Sequence, residues 1–240
     1  MIKTEGLTKY YGDFPALRNL SFSVEKGEVV GLLGLNGAGK TTCLRILAGF
    51  LIPTEGETYI DGKNIFTDPL EVKSRLGYLP EQPPLYPELS VQDYLRFVAR
   101  LRGVREDDFE QEFLRVAGLA RLEAARRSLI RNLSLGYRKR VGIAQAIIGS
   151  PPVLIFDEPV SGLDPRQIVG VRKLIRELAG KHTILISSHI LTEVSRTCDR
   201  VIIIHQGEFK GELKGDELHT NLEEKFMQMT SAPVLKVGAS

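Results

Sequence analysis

The sequence lacks any long apolar run. A membrane-spanning helix needs roughly 20 apolar residues, and the longest runs here, Pro152–Phe156 and Val201–Ile204, are only of strand length. No N-terminal apolar stretch resembles a signal peptide. Any work at a membrane therefore calls for a second polypeptide to cross it. Cysteine is scarce: Cys43 and Cys198 stand alone, in apolar or helical surroundings. That excludes a disulfide-stapled scaffold and reads as packed thiols in a reducing compartment. Neither sign of charge dominates, since 32 Lys and Arg face 30 Asp and Glu. A near-balanced chain has no general pull towards nucleic acid, so any basic patch must be local.

What is present is an ordinary globular composition, 42% apolar and 26% charged over 240 residues, enough for one large domain or two small ones. Its strongest local signal is Gly34-Leu35-Asn36-Gly37-Ala38-Gly39-Lys40-Thr41-Thr42, which fits the phosphate-binding pattern G-x-x-x-x-G-K-[ST]. The residues before it, Glu28 to Leu33, read as a buried parallel strand. Those after it, Cys43 to Ala48, read as a helix with one apolar face. Gly34, Gly37 and Gly39 let the backbone turn its N–H groups inward without Cβ clashes. The helix aims its positive N-terminus at the phosphates, Lys40 reaches them, and the Thr41 hydroxyl is placed to ligate Mg²⁺. The loop alone predicts a nucleotide without saying which one.

In order, Ile2–Lys9 and Leu17–Val24 alternate as strands, with Lys9-Tyr10-Tyr11-Gly12 between them. Tyr11 reads first as a core or hairpin aromatic. Thr54–Gly62 reads as turn, strand, turn. Leu70–Arg75 reads as a short helix, and Leu76–Glu81 as a core strand closed by Pro80. From Ser90 the texture becomes helical. Ser90-Val91-Gln92-Asp93 is a capping-box-like start; Asp107–Ala117 and Gly118–Arg127 are expected to continue as helix to about Ile130. Arg126, Arg127, Arg131, Arg138, Lys139 and Arg140 form a locally basic stretch without interleaved aromatics, read as a solvated face. Ser134 precedes another helix and can serve simply as its N-cap.

Pro152–Phe156 implies a central strand buried on both faces, and it runs into Asp157-Glu158. Carboxylates at the C-terminal ends of parallel strands sit where such sheets bind ligands. Asp157 suits Mg²⁺, while Glu158 points the other way and is free to act on water. Ser161–Pro165 is a turn. Thr183–His189 is a further buried strand with a polar end, Leu191–Thr197 a helix, and Arg200–Leu213 a hairpin across Gln206-Gly207. Leu222, Phe226 and Met229 form one face of a final short helix, and Ser231–Ser240 reads as a frayed tail.

Five elements thus stand in one order: the phosphate loop, Tyr78-Leu79-Pro80-Glu81, Leu133-Ser134-Leu135-Gly136-Tyr137, Phe156-Asp157-Glu158-Pro159 and Ser187-Ser188-His189. This order resembles the ATP-binding cassette (ABC) ATPases, the motor subunits of ABC transporters, over residues 2 to about 213. The resemblance implies an α/β fold: a P-loop NTPase core with a parallel sheet, an N-terminal antiparallel β-subdomain and an inserted all-helical subdomain at about 84–150. Residues 1–220 would form the ATP-binding domain and 221–240 a short C-terminal helix and tail. It makes Tyr11 the platform for adenine, Gly34 to Thr42 the Walker A loop, and Asp157 the Walker B aspartate for Mg²⁺. Glu158 becomes the general base and His189 the switch histidine contacting the γ-phosphate. Ser161 to Asp164 match the D-loop that faces the opposite subunit. Ser134 and Gly136 match the signature residues that bind ATP held by that subunit.

Two departures from the family pattern stand out. Leu135 and Tyr137 replace the first glycine and the glutamine of the usual signature, and Glu81 replaces the Q-loop glutamine. Glu81 can still ligate Mg²⁺ or hold water, and Gln82 follows it directly if the loop shifts by one. The resemblance implies ATP and Mg²⁺ as cofactors and a head-to-tail homodimer with ATP between the copies. It also implies a transmembrane permease partner, reached through a surface that includes Glu81–Glu88. The expected place is the cytoplasmic face of the cell membrane, touched only through the permease, with no nucleic-acid partner. The Leu-Tyr-x-Glu-Leu-Ser segment resembles bacterial ABC-2 or exporter-type cassettes. The alternative is a cassette ATPase acting on ribosomes or nucleic acid. The two-cassette chain, long coiled coil or zinc cysteines of those types are missing, as is the asparagine-lysine-x-aspartate reader of a GTPase.

Overall fold

The runs that read as buried strands lie side by side in one sheet, and strict alternation explains why each is apolar throughout. The structure, a computed structural model, describes residues 1–231; the expected tail beyond Ser231 lies outside them. The strands are β1 (Ile2–Tyr11), β2 (Phe14–Val24), β3 (Val29–Leu33), β4 (Glu55–Ile60), β5 (Lys63–Asn64), β6 (Leu76–Leu79), β7 (Val153–Asp157), β8 (Thr183–Ser188), β9 (Arg200–His205) and β10 (Glu208–Lys214). The α-helices are α1 (Lys40–Leu47), α2 (Pro69–Arg75), α3 (Val91–Leu101), α4 (Phe109–Ala120), α5 (Leu135–Ile147), α6 (Pro165–Leu178), α7 (Leu191–Thr197), α8 (Glu217–Thr220) and α9 (Leu222–Thr230).

The larger sheet has the order β10-β9-β3-β8-β7-β6, parallel except for the β9–β10 hairpin at one edge. Each central strand feeds two cores. Val29 and Leu33 of β3, Leu154 and Phe156 of β7, and Ile184 and Ile186 of β8 point into the core shared with α3 to α7. Val30, Leu32, Val153, Ile155 and Leu185 point into the other, with α1 and the second sheet. That second sheet is antiparallel, in the order β2-β1-β4-β5. The expected fold class therefore stands in both of its sheets. Tyr11 is not in a loop: it ends β1, paired with Phe14 across the tight turn at Gly12-Asp13.

The helical region differs from its sequence reading in one place. The helix expected through Gly118–Arg127 stops at Ala120, where Arg121 takes a left-handed φ of 54°. Only single 3₁₀ turns follow, at Glu123–Ala125 and Ile130–Asn132. Gly118 near the helix end and the buried Leu122 explain the break: the chain folds back so that Leu122 enters the core instead of continuing the helix. Helix α5 then packs its backbone directly on β6. A Cβ on Gly77 would lie 2.0 Å from the Ala146 carbonyl oxygen, so only glycine permits the approach. Among the described residues, no helix is long and apolar enough to cross a membrane.

Candidate active site

Strands β3, β7 and β8 are parallel neighbours, so their C-terminal ends come out together. The phosphate loop leaves β3 there. Gly37 and Gly39 hold φ of 81° and 101°, a region other residues enter only at a cost. A Cβ on Gly34 would meet the Ile204 carbonyl oxygen at 2.5 Å. No side chain caps α1, and no acid stands in its first turn. Its leading amides therefore have no intrahelical acceptor and face outward as an anion site. Lys40 is buried. Its ammonium donates to the carbonyls of Gly34 at 2.8 Å and Leu35 at 3.2 Å and lies 3.5 Å from Glu158 Oε1.

Asp157 ends β7 opposite Ser187 of β8. Its Oδ1 accepts from Ser187 Oγ at 2.6 Å and from Thr41 Oγ1 at 3.3 Å. Burial pushes the Asp157 carboxyl above its ordinary range, against the pull of those two hydroxyls. Hydroxyl and carboxylate oxygens side by side, with the anion short of positive charge, are the donor set of a hard divalent cation. Thr41 and Asp157 fit Mg²⁺ on that ground.

Glu158 lies just beyond the strand, not in it, with a left-handed φ of 46°. Its N–H donates to Ser187 Oγ at 2.8 Å. Its carboxylate meets His189 Nδ1 at 3.0 Å. The sequence reading left Glu158 free; the fold instead holds it between His189 and Lys40, at 6% exposure. Asn36, Gly37, Ala38, Gly39, Lys40, Thr41, Thr42, Glu158 and His189 line one cleft of about 530 Å³, closed on one side by Tyr11 and Phe14 and on another by Glu81 and Ser161. The volume suits a nucleotide-sized ligand. Tyr11 is 48% exposed, with the Lys9 ammonium over its ring 5.6 Å from the centroid. Glu81, and not Gln82, reaches the cleft, where Ser161 Oγ stands 3.5 Å from its carboxylate.

Five expected residues do not line this cleft: Gly34 and Asp157 stand behind it, bonded to Lys40 and Thr41, and three more lie apart. Ser134 caps α5, accepting from the Tyr137 N–H. Gly136 abuts Gln167, and Asp164 forms a capping box with that same glutamine at the start of α6. Within one chain these three support each other and touch no phosphate loop. Ser134 and Leu135 stay exposed.

Two residues at the site escaped the sequence reading. Ser187 ties Asp157 to the Glu158 backbone; the signal was a hydroxyl breaking an apolar run beside the carboxylate strand. In the sequence Lys139 reads as part of a solvated basic face, yet it is 2% exposed. Helical spacing held the clue, because Lys139 shares a face with Gly136, Gly142 and Ile143, all buried. The remaining basic residues are partly neutralised in place: Arg126 by Glu110 and Arg131 by Glu88.

A second, aromatic cleft of about 650 Å³ opens on the far side of β6, lined by Phe50, Leu70, Tyr78, Pro84, Tyr86, Phe97 and Leu101 among others. Phe50, Leu70 and Leu101 are largely exposed.

A family model described as ABC transporter matches residues 17–161. The bacitracin transport ATP-binding protein BcrA of Bacillus licheniformis is 40% identical over 220 residues, 91% of this chain and 71% of that protein. A solved ATP-binding subunit of an ABC transporter superposes with a TM-score of 0.86 at 32% identity, covering 96% of this chain and all of that one. A dimeric cassette in a post-hydrolysis state, bound to ADP and Pi, gives 0.80 at 27% identity, over 89% of this chain and 98% of that one.

Proposed function

This chain belongs to the ABC transporter family as an ATP-binding cassette ATPase, and on that premise we propose that it drives a separate transmembrane permease by closing and opening a head-to-tail homodimer around two ATP. The observation that carries the reading is a division of labour. The phosphate loop, Asp157, Glu158 and His189 gather at one sheet end, whereas Ser134, exposed, and Gly136, buried against Gln167, lie outside that cleft. A second copy, turned head to tail, brings those two to the first copy's cleft. That a similar cassette is dimeric with ADP and Pi bound supports the pairing of two copies.

In the proposed mechanism Tyr11 stacks on adenine and the loop amides with Lys40 receive the phosphates. Thr41 and Asp157 would hold Mg²⁺, which would supply charge neutralisation for a bound triphosphate. Glu158 takes the proton of the attacking water, while His189 and Lys40 fix its carboxylate. Positioning and electrostatics carry most of the rate, as in other phosphoryl transfers. Ser161 of the D-loop stands beside Glu81, whose loop leads on to Pro84 and Tyr86 of the aromatic cleft. The aromatic cleft that begins there is the docking surface for the permease's cytoplasmic segment. An export-type transporter at the inner face of the cell membrane is the reading favoured by the Leu85–Ser90 segment.

The test is direct. The Glu158→Gln chain is expected to bind ATP and to run as a dimer on size-exclusion chromatography only when ATP is present. A persistent monomer would overturn the dimer. The membrane polypeptide that co-purifies identifies the permease, and counterflow into inverted vesicles gives the direction.

A further inference from the structure

Lys139 is the one buried ammonium on α5, and its neighbours are not those of a packing residue. Its Nζ donates to the carbonyl oxygen of Glu81 and, at 3.1 Å, to that of Glu158. One cation thus joins three segments: the helix that starts at Ser134, the loop that leaves β6, and the residue that leaves β7. A neutral side chain could fill the space; burying a charge there costs far more unless the surroundings are negative. They are: the carboxylates of Glu81, Asp157 and Glu158 all act on this ammonium, and each opposes the effect of its burial.

The consequence falls on Glu158. Its left-handed backbone is a strained conformation for a residue with a side chain, one that surrounding contacts must enforce. The enforcing contacts are three. Ser187 Oγ receives the N–H, while Lys139, at 3.1 Å, and the Ser161 N–H, at 3.2 Å, both donate to the C=O, and of these only Lys139 also reaches the Glu81 loop. Together they set the direction in which the carboxylate enters the cleft. On the Glu81 side, the same ammonium lies beneath a carboxylate that adds negative charge next to the phosphate site.

We infer that Lys139 is a positioning residue for hydrolysis: it fixes the backbone of Glu158 from below, offsets the charge of Glu81, and mechanically ties the Glu81 loop to the base. The inference rests on Glu158 acting as the base.

The experiment uses the full chain with Lys139→Met. Turnover of Mg-ATP is expected to fall about ten- to a hundred-fold, the usual range for losing a supporting residue, while binding of a fluorescent ATP analogue changes less than about two-fold. In nucleotide-free protein, amide exchange should quicken together in peptides covering 79–85 and 156–162, and stay unchanged in β3 and β9. Adding Glu81→Gln to Lys139→Met should recover several-fold of the lost turnover. Wild-type turnover, a matching loss of ATP binding, unaltered exchange at either peptide, or no recovery in the double variant would each overturn the proposal. If Lys139→Met does not fold, Lys139→Gln, which keeps a donor and drops the charge, takes the same measurements. Glu158→Gln runs alongside: if it still hydrolyses ATP, the base assignment fails, and the exchange data alone then judge the tie.

Discussion

The two ends of the large sheet are both rich in charge, and they use it in opposite ways. At the N-terminal ends of β3 and β9, Arg200 donates to both oxygens of Glu28, to Glu212 and to the Ser23 carbonyl. Asp199 beside it accepts the Val29 N–H and pairs with Arg176. Every charge there has a close opposite partner, which raises the Arg200 pKa further above its already high ordinary value, chiefly through the Glu28 hydrogen bonds. At the C-terminal ends of β3, β7 and β8 the pairing is deliberately incomplete. Asp157 is held by hydroxyls, Lys139 by backbone carbonyls, and Lys40 by backbone carbonyls with Glu158 Oε1 no nearer than 3.5 Å, while Glu158 sits in a conformation its own backbone disfavours. Charges that satisfy one another stabilise a fold. Charges that are positioned but left short of opposite charge are available to a phosphate, a cation or a water.

The largest effect should come from breaking the second end. Glu158→Gln keeps size and burial but removes the carboxylate proposed as base, and turnover should drop at least about a hundred-fold, the contribution of a positioned general base. ATP binding should survive, measured by equilibrium dialysis. Near-normal hydrolysis would show that this end is as structural as the other. Arg200→Met is the mirror experiment. It strands Glu28 in partial burial, so unfolding in urea should become easier by about 2–3 kcal/mol, below the figure for a fully buried pair because these groups keep some solvent. Turnover per folded molecule should not move; if it falls with stability intact, the two ends are coupled and the contrast fails.

How much of this is legible in the sequence follows from range. The phosphate loop, Asp157-Glu158 and the strand runs declare themselves because glycine spacing and unbroken apolar residues are local properties. From its own surroundings Tyr11 is legible only as an aromatic before a glycine, and the resemblance alone makes it an adenine platform; its position across the cleft needs the second sheet. Ser187 and Lys139 depend on register between strands and on which face of α5 turns inward. A short sequence window does not carry that information, although the spacing of Gly136, Lys139 and Ile143 hints at it. The break at Arg121 escaped for a similar reason, since burial of Leu122 overrides the helical preference of the residues around it.

Ser134 probes the division between copies. In one chain its hydroxyl caps α5, so Ser134→Ala should cost some stability, about 1 kcal/mol for a lost cap. If it also reaches the partner's nucleotide, turnover should fall about ten-fold, one charge-assisted hydrogen bond's worth. ATP binding by the monomer should stay unchanged. Ser134→Asp separates the two roles: a carboxylate caps the helix equally well but repels a phosphate. Restored thermal stability with still lower turnover is the expected pair of results. Recovery of both would confine Ser134 to capping.

The smallest effect tests the paired end by pH. Burial raises the Glu28 carboxyl, but hydrogen bonds from Arg200 and from the Glu25 N–H outweigh it and hold the group below its ordinary value of 4.5. A carboxyl depressed in the folded state stabilises fully above its unfolded value, and that contribution disappears as pH falls through the folded one. Wild-type stability in urea should therefore decline as pH drops from about 5 towards 3. In Arg200→Met the part of that slope owed to Glu28 should vanish or reverse, because burial then acts on the carboxyl without the arginine. Parallel slopes in the two proteins would mean that Glu28 and Arg200 meet in space without stabilising each other. The paired end would then owe its firmness to the Val29–Asp199 and strand hydrogen bonds alone.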